Sequence, residues 1–409
     1  MTHHLIPTDG ADDRPPLDNF HVIDLTQVIA GPYATLMLAD LGAEVLKIER
    51  PGHGDDLRSV GRYPGREEHE DYFNANNRSK KSIALDLKKP RDRAIGQELA
   101  KVADIVVENF SPGTAHRLGM GWEDLRPLNP RLVYCSLSGF GQTGPSRDRY
   151  ALDPMIQAVT GLMTVNGDPE DPPLMVGAPL SDVMAGMFAA YSIVGALHAV
   201  RHNGKGRHID ISMQDATLSA LGPRLGEPLQ ARRNPGRHGN QNPLRVPANT
   251  YLTKDSVYLS LIVQNDRHWP RFCRAMGFDD LAEDSILATG AGRIAAREML
   301  DSRTAARVAQ LTFNECVDVL EREHLPYARV NTYLEALEDE QVKFRGLVRS
   351  TNHPTSGNIR IVGPPWLMSG AQSETMPPPL LGQHTEDVLT TWLGWDQIAI
   401  RKHLAKSAD

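Results

Sequence analysis

The sequence predicts an α/β protein: a doubly wound parallel sheet in a large N-terminal domain, then a smaller α+β unit. Three observations carry this. "FHVIDLT", "GPYATLMLADLG" and "AEVLKIER" (20–26, 31–42 and 43–50) read as strand, helix and strand, a βαβ unit with a right-handed crossover. Short apolar runs continue to alternate with helical stretches as far as residue 139. After residue 225 the texture changes to a segment rich in Arg, Asn, Gly and Pro.

The elements follow in order. Residues 1–19 contain no apolar h-region and read as a disordered lead-in, not a signal peptide. Beyond the first βαβ unit, "KSIALDL" reads as a strand, "PRDRAIGQELAKV" as a helix, and "ADIVVENF" and "PRLVYCSLSG" as two more strands. The large domain is expected over 20–225 and a linker over 226–250. A small domain is expected over 251–335, opening on the strand "VYLSLIV" and continuing through helices such as "CVDVLEREH". Residues 336–409 are expected to return to the large domain, the prolines of "PPPLLGQHTEDVL" giving an extended arm before a last helix.

Composition narrows the function. The 409 residues suit two or three domains. With 40% hydrophobic and 23% charged residues the chain is an ordinary soluble protein. A net charge of −7 excludes the broad basic field of a nucleic-acid binder but leaves room for a local basic pocket. Cys135, Cys273 and Cys316 lie far apart in apolar segments and read as structural thiols, which points to a reducing, cytoplasmic setting. The apolar run 185–200 is short for a membrane span and contains Tyr191, Ser192 and His198; a buried core helix is expected and no membrane partner.

The glycines of "SGFGQTGPSRDRYALD" (138–153) spell G-x-G-x-x-G at Gly139, Gly141 and Gly144 after a strand. A dinucleotide fingerprint needs its third glycine in a helix. Here Pro145 and a polar stretch follow, so a loop is expected and no nicotinamide or flavin cofactor. No P-loop consumes ATP, no G-x-S-x-G elbow offers a serine, and the histidines show no metal-ligand spacing. Asp168, Glu170 and Asp171 read as solvated loop charges.

Ligands of open α/β sheets bind at the carboxyl ends of strands. Arg50 ends one strand, Asn109 and Phe110 follow another, and Arg117 lies a helical turn past Gly113. These arginines are either ordinary surface charges or, with nearby backbone N–H groups, a seat for a phosphorylated ligand. Asp182 stands alone in the small and apolar run "VGAPLSDVMAGMFAAYSIVGAL". It reads as an N-cap, a position that lowers a carboxylate's pKa. It also reads as a desolvated carboxylate able to act as a nucleophile.

The chain resembles the family III CoA-transferases, which include formyl-CoA and carnitine CoA-transferases, succinyl-CoA-dependent dicarboxylate transferases and the α-methylacyl-CoA racemases. The resemblance runs over 20–389 and rests on "VIDLTQVIAGPYATLMLADLGAEVLKIERPG", "NRSKKSIALDL", "VENFSPGTAHRLG", "SLSGFGQTGP", "SDVMAGMFAAYSIVGAL", "GKGRHIDISMQDA" and "PPPLLGQHTEDVL". It implies a Rossmann-like large domain and two chains interlocked like links. It places the nucleophile on Asp182, the active-site loop on Ser138, Gly139, Phe140 and Gly141, and coenzyme A, as substrate, against Ile29, Ala30, Arg50, Asn109, Phe110 and Arg117.

The implied reaction moves CoA from an acyl-CoA to a carboxylate through an aspartyl mixed anhydride and an aspartyl-CoA thioester. Racemases of this family carry a His-Asp pair after the loop. Leu152 and Asp153 stand there, and leucine cannot accept a proton. The glycine run of the formyl-CoA enzyme has no clear counterpart; "RRNPGRHGNQNP" occupies roughly that region. Arg147 and Arg149 are either solvated loop charges or an arginine fork for a second carboxylate, as in a small dicarboxylate acceptor with succinyl-CoA as donor. Racemisation, and transfer of the formyl-CoA:oxalate or carnitine type, stay open as alternatives.

Overall fold

The computed structural model describes residues 14–60, 70–369 and 374–405. The chain forms two compact units. The first contains everything up to Thr160, Val176–Leu225 and everything from Glu340; the second contains Gly161–Met175 and Gly226–Asp339.

The first unit is organised by six strands: β1 (His21–Asp24), β2 (Glu44–Glu49), β3 (Lys80–Ala84), β4 (Ile105–Glu108), β5 (Val133–Ser138) and β6 (Arg207–Ser212). All pair in parallel, in the order β3-β2-β1-β4-β5-β6. This is the strand order of the doubly wound fold, as the alternating pattern predicts. Successive strand residues point to opposite faces, and both faces are apolar and covered. Val22, Val45, Val107 and Cys135 pack with Ala34 and Leu38 of helix Ala30–Asp40 and with Ala189 and Ile193 of helix Leu180–Asn203. Ile23, Leu46, Ile83 and Val106 pack on the other face with Ile95 and Leu99 of helix Pro90–Val102 and with Val388 and Leu389 of helix Thr385–Thr391.

The lead-in expected over 1–19 lies outside the described residues as far as residue 13. Residues 14–19 form a packed turn in which Leu17 is buried and its N–H donates to the Leu41 carbonyl at 2.9 Å. The C-terminal arm closes the edge of the sheet at β3. His384 N–H donates to the Ser82 carbonyl, and Ser82 N–H donates to His384 Nδ1, at 2.9 and 3.2 Å. An exposed edge strand would otherwise present these groups unpaired. The hairpin of β10 (Val348–His353) and β11 (Gly357–Val362) also belongs to this unit.

The second unit is α+β. Strands β7 (Ala248–Leu252), β8 (Tyr258–Ile262) and β9 (Tyr327–Arg329) form an antiparallel sheet. Its core includes Leu259, Leu261, Trp269, Phe272 and Leu320. Helix Phe313–Arg322 opens on a capping box, in which Thr312 and Glu315 each satisfy the other's backbone N–H. Arg237 donates to the carbonyls of Asp168, Pro169 and Asp171, tying that acidic loop to the Arg- and Gly-rich segment.

Helix Leu180–Asn203 is longer than the apolar run that announced it, and by length and composition it could cross a membrane. It packs against helix Ala30–Asp40, β5 and β6. Burial is confined to one face, with Ala185, Ala189, Ile193 and Leu197 inside. Met187, Tyr191 and Val194 stay exposed on the other, so the buried core helix expected from the sequence packs into the core by one face only.

The approach to helix Ala30–Asp40 depends on small residues. A Cβ on Gly186 would stand 2.7 Å from the Ala30 carbonyl oxygen and 3.3 Å from the Ala34 nitrogen. Gly186→Ala is therefore expected to force the two helices apart, with a stability loss of about 1–3 kcal/mol from overpacking. A lowered midpoint in urea unfolding checks this; an unchanged midpoint would show that the contact yields freely.

Candidate active site

Strand order reverses between β1 and β4, and their carboxyl ends leave a crevice there. The two loops that border it are clasped by one side chain. Asn109 Nδ2 donates to the Gln27 carbonyl and Asn109 Oδ1 accepts from Gln27 N–H, both at 2.8 Å. Val28 follows at a φ of 68°, in the left-handed region, and its N–H donates to Asp55 Oδ1 at 3.1 Å. Asp55 is in turn paired with buried Lys47 at 3.0 Å. The Gln27–Ala30 turn is therefore held by side chains from two neighbouring strand ends. Asn109 spends its amide on this backbone, so its side chain shapes the crevice instead of reaching into it.

A cavity of ≈ 630 Å³ opens at the carboxyl ends of β1, β2 and β3. Gln27, Arg50 and Phe110 line it, together with His53, Lys88, Lys89 and Arg91, which sequence reasoning missed. The run "LKKPRDR" past the end of β3 was the available signal. Arg50 is exposed and donates to Asp56 Oδ1 at 2.7 Å. Arg117 is exposed, donates to Thr114 Oγ1 at 2.6 Å and does not line this cavity, although its neighbour Leu118 does.

A second group of residues gathers around Asp182. Ile29 and Ala30 open the first helix, and Ala30 meets Gly186, one turn beyond Asp182 on the same helix. On the other side, β5 ends in the glycine loop. Gly139 lies so close to Ala151 that a Cβ there would stand 2.2 Å from the Ala151 Cβ. Gly141 has a φ of 86°, which favours glycine. Two groups from β6 and beyond fix the loop: Asp210 accepts Gln142 N–H at 2.9 Å, and Gln214 N–H donates to the Gly139 carbonyl at 3.1 Å. The N–H groups of Phe140 and Gly141 make no hydrogen bond among the described residues. The hydroxyls of Ser138 and Ser181 are buried and unpartnered. This loop is no helix start; the next helix is Asp153–Val159, as its prolines and polar residues predict.

Asp182 itself is the third residue of its helix, and Pro179 precedes the first. The capping group comes from elsewhere. Asp153 Oδ2 accepts the N–H groups of Ser181 and Asp182 at 2.7 and 3.2 Å. The expected lowering of the Asp182 pKa by the helix N-terminus is thereby corrected: burial, with the charge of Asp153, pushes its carboxyl up to about 7. Two fully buried carboxylates are instead paired, Asp24 with Lys80 and Glu49 with Arg58 at 3.0 and 2.8 Å. The Asp182 side chain accepts from no donor among the described residues. Cys135 offers no competing nucleophile, because burial pushes its thiol far up.

Of the two loop arginines, Arg149 sits over the Phe140 ring, 4.9 Å from its centre, and Arg147 pairs with its neighbour Asp148 at 3.3 Å. Both are exposed. Leu152 is 45% exposed and carries no proton-accepting group, whereas Asp153 is buried. Among the described residues no cluster of three His, Cys, Asp or Glu side chains could hold a metal ion.

Residues 17–385 match the family model for CoA-transferase family III. The chain is similar to succinyl-CoA:glutarate CoA-transferase of Mus musculus, 37% identical over 399 residues covering 97% of this chain and 91% of that protein. It is also similar to acetyl-CoA:oxalate CoA-transferase of Acetobacter aceti, 37% identical over 364 residues covering 89% of this chain and 92% of that protein. Among solved structures, a CAIB/BAIF family protein from Brucella suis superposes with a TM-score of 0.83 at 31% identity, covering 93% of this chain and 100% of that one.

The clasp at the crevice is open to test. Asn109→Ala would leave the Gln27 N–H and carbonyl without their partner, at a loss of about 1–3 kcal/mol. Because Gln27 lines the cavity, KM for the CoA ester is expected to rise more than kcat falls. Steady-state kinetics beside a thermal melt check this; an unchanged KM in a destabilised protein would make the clasp purely structural.

Proposed function

Proceeding from the chain's membership of CoA-transferase family III, which makes it a CoA-transferase, we propose that it moves CoA from succinyl-CoA to a small dicarboxylate with Asp182 as nucleophile. One observation carries the nucleophile. Asp182 is a half-buried carboxylate with no cation or donor on its side chain among the described residues, in the first turn of a helix whose start is capped by Asp153. Stripped of water and counter-ion, its anion is reactive.

The chemistry then runs as two exchanges. The Asp182 carboxylate attacks the thioester carbonyl, the C–S bond breaks, and CoA leaves as thiolate from a mixed anhydride. The thiolate attacks the aspartyl carbonyl, releasing the donor acid and leaving an Asp182–CoA thioester. The acceptor carboxylate attacks that thioester, and the released thiolate takes the acceptor acyl group and frees Asp182. One thioester is broken and one made, so no ATP is needed. The unspent N–H groups of Phe140 and Gly141 would hold the oxyanion of each addition. Arg50, His53, Lys88 and Lys89 around the cavity suit the phosphates of CoA, and Phe110 offers a ring to its adenine. CoA is here a substrate; no resident cofactor or metal is invoked.

The relatives' names, a glutarate and an oxalate enzyme, both describe dicarboxylate acceptors. Arg149, seated on Phe140 of the loop, supports a contact with the second carboxylate, and Arg147 stands close by in sequence. Leu152 supports transfer over racemisation, because it leaves that position without a base. The three buried free thiols support a cytoplasmic setting.

Asp182→Ala is expected to abolish transfer while CoA binding persists. In the wild type, trapped intermediate is expected on the Asp182 peptide by mass spectrometry, and transfer should fall as pH drops below about 7, since protonation removes the nucleophile. Succinyl-CoA and acetyl-CoA should be compared as donors with glutarate, oxalate, monocarboxylates and carnitine as acceptors. Near-normal turnover in Asp182→Ala, or preference for a monocarboxylate or carnitine, overturns the reading.

We further propose that the enzyme is an obligate homodimer of interlocked chains. Met187, Tyr191 and Val194 run along the outer face of the Asp182 helix, and Met155 and Val159 are exposed on the neighbouring helix Asp153–Val159. Left in water, such a patch favours association. Sedimentation velocity is expected to show a dimer at all accessible concentrations; a folded, active monomer rules it out.

A further inference from the structure

The nucleophile's helix is capped by a carboxylate from another element. Asp153 opens helix Asp153–Val159 and turns Oδ2 onto the N–H groups of Ser181 and Asp182, at 2.7 and 3.2 Å. Its Oδ1 accepts from Gln157 Nε2 at 2.6 Å. Gln157 is fully buried, and its amide also grips the segment that leads into the Asp182 helix. Nε2 lies 3.3 Å from the carbonyls of Val176 and Ala178, and Oε1 accepts Val176 N–H at 2.9 Å. Asp153 and Gln157 thus clamp the chain on both sides of the helix start.

A neutral residue could cap a helix equally well; serine and asparagine are the common choices. A second carboxylate beside a nucleophilic carboxylate is a different matter, because like charges oppose each other's ionisation. Helix Ala30–Asp40 presents Ala30, Tyr33 and Ala34 to this end of the Asp182 helix, through Gly186. No cation acts on Asp182 among the described residues, and Asp153 is the one charged group that does.

From this juxtaposition, and resting on Asp182 as nucleophile, we propose that Asp153 is a positioning residue for CoA transfer: it fixes the first turn of the nucleophile's helix, and its negative charge keeps the Asp182 carboxylate reactive. The charge acts in the right direction at each step. When Asp182 attacks the thioester, the C–S bond breaks and the negative charge departs with the CoA thiolate. Repulsion from Asp153 is relieved on acylation and returns only when the carboxylate is freed. The ground state of the free carboxylate is raised relative to the acylated one, while the cap keeps the helix in place. A simple cap would supply the second effect without the first.

The test reads the rate of adduct formation on Asp182, mapped by mass spectrometry, as a function of pH. In Asp153→Asn the isosteric amide oxygen can still accept these N–H groups, but the charge is gone. The acid limb is expected to move down by about one pH unit, and the plateau rate to fall by about two- to tenfold because the anion is less basic. Gln157→Leu breaks the same clamp and keeps the charge. It is expected to slow adduct formation with the limb unmoved. If the limb stays in place in Asp153→Asn as well, Asp153 is only a cap and the proposal is overturned. A carboxyl ¹³C titration of the unsubstituted protein, assigned against Asp182→Asn, needs no Asp153 variant. A midpoint near neutrality is expected, and one in the ordinary aspartate range overturns the proposal. Absence of any adduct on Asp182 would instead overturn the assignment of the nucleophile, which distinguishes the two failures.

Discussion

Asp24 holds the first unit together at the point where the sheet feeds its ligand crevice. The residue is fully buried at the end of β1. It accepts from Thr26 N–H, from Thr35 Oγ1 of the first helix and from Lys80 Nζ of β3, at 2.8, 2.7 and 3.0 Å. Burial opposes its charge, but Lys47 and Lys80 outweigh burial and hold its carboxyl well below the usual range. A buried ion pair is only sound if its remaining valences are met, and here they are. Lys80 also donates to the Pro32 carbonyl and Asn77 Oδ1, while Lys47 donates to the Thr26 carbonyl and is ion-paired with Asp55. Strand end, turn and helix start are therefore one hydrogen-bonded object. The left-handed Val28 and the clasp of Asn109 follow from it.

How much of this was legible in the sequence depends on the kind of signal. The parallel sheet was, because buried strands such as "HVID" and "IVVE" read as continuous apolar runs between helices. The loop nature of Gly139–Leu152 was, because Pro145 cannot continue a helix from Gly144. Asp182 stood out as a lone charge in a small and apolar run. Its pKa did not, because position in a helix is local whereas Asp153 arrives from 29 residues away in sequence. The same limit hid the role of Asn109: its residue type fits a ligand contact, and only the fold brings it to Gln27. The basic residues past β3 went unread, because only the fold of the sheet puts them on the rim of a cavity.

The strand order also sorts the charges. On the β2–β3 side of the crevice the buried lysines are paired with Asp24 and Asp55, and Arg50, Lys88, Lys89 and Arg91 line the cavity alongside Asp86 and Asp92. On the β5 side the buried titratable groups near the strand ends are carboxylates, and burial pushes Glu108 of β4 up to about 7. A phosphorylated substrate would be drawn to the first side by opposite charge. Asp182, on the second side, has no cation partner among the described residues.

This division bears on the difficulty that the proposed acyl transfer to Asp182 must meet. A carboxylate strong enough to attack a thioester must be neither paired nor protonated, yet a buried charge without a partner is expensive. Asp24 escapes the difficulty by pairing with Lys80 and so could not serve as nucleophile. Asp182 sits part way out of solvent, takes its place from backbone groups bound by Asp153, and leaves its own oxygens uncommitted. Borrowing the cap from another helix is what makes this possible. A cap made by Asp182 itself would occupy an oxygen, lower the basicity and stabilise the anion that must react. On the proposed mechanism, the separation of capping carboxylate from reacting carboxylate is the constraint that Asp153 and the Gln157 amide serve.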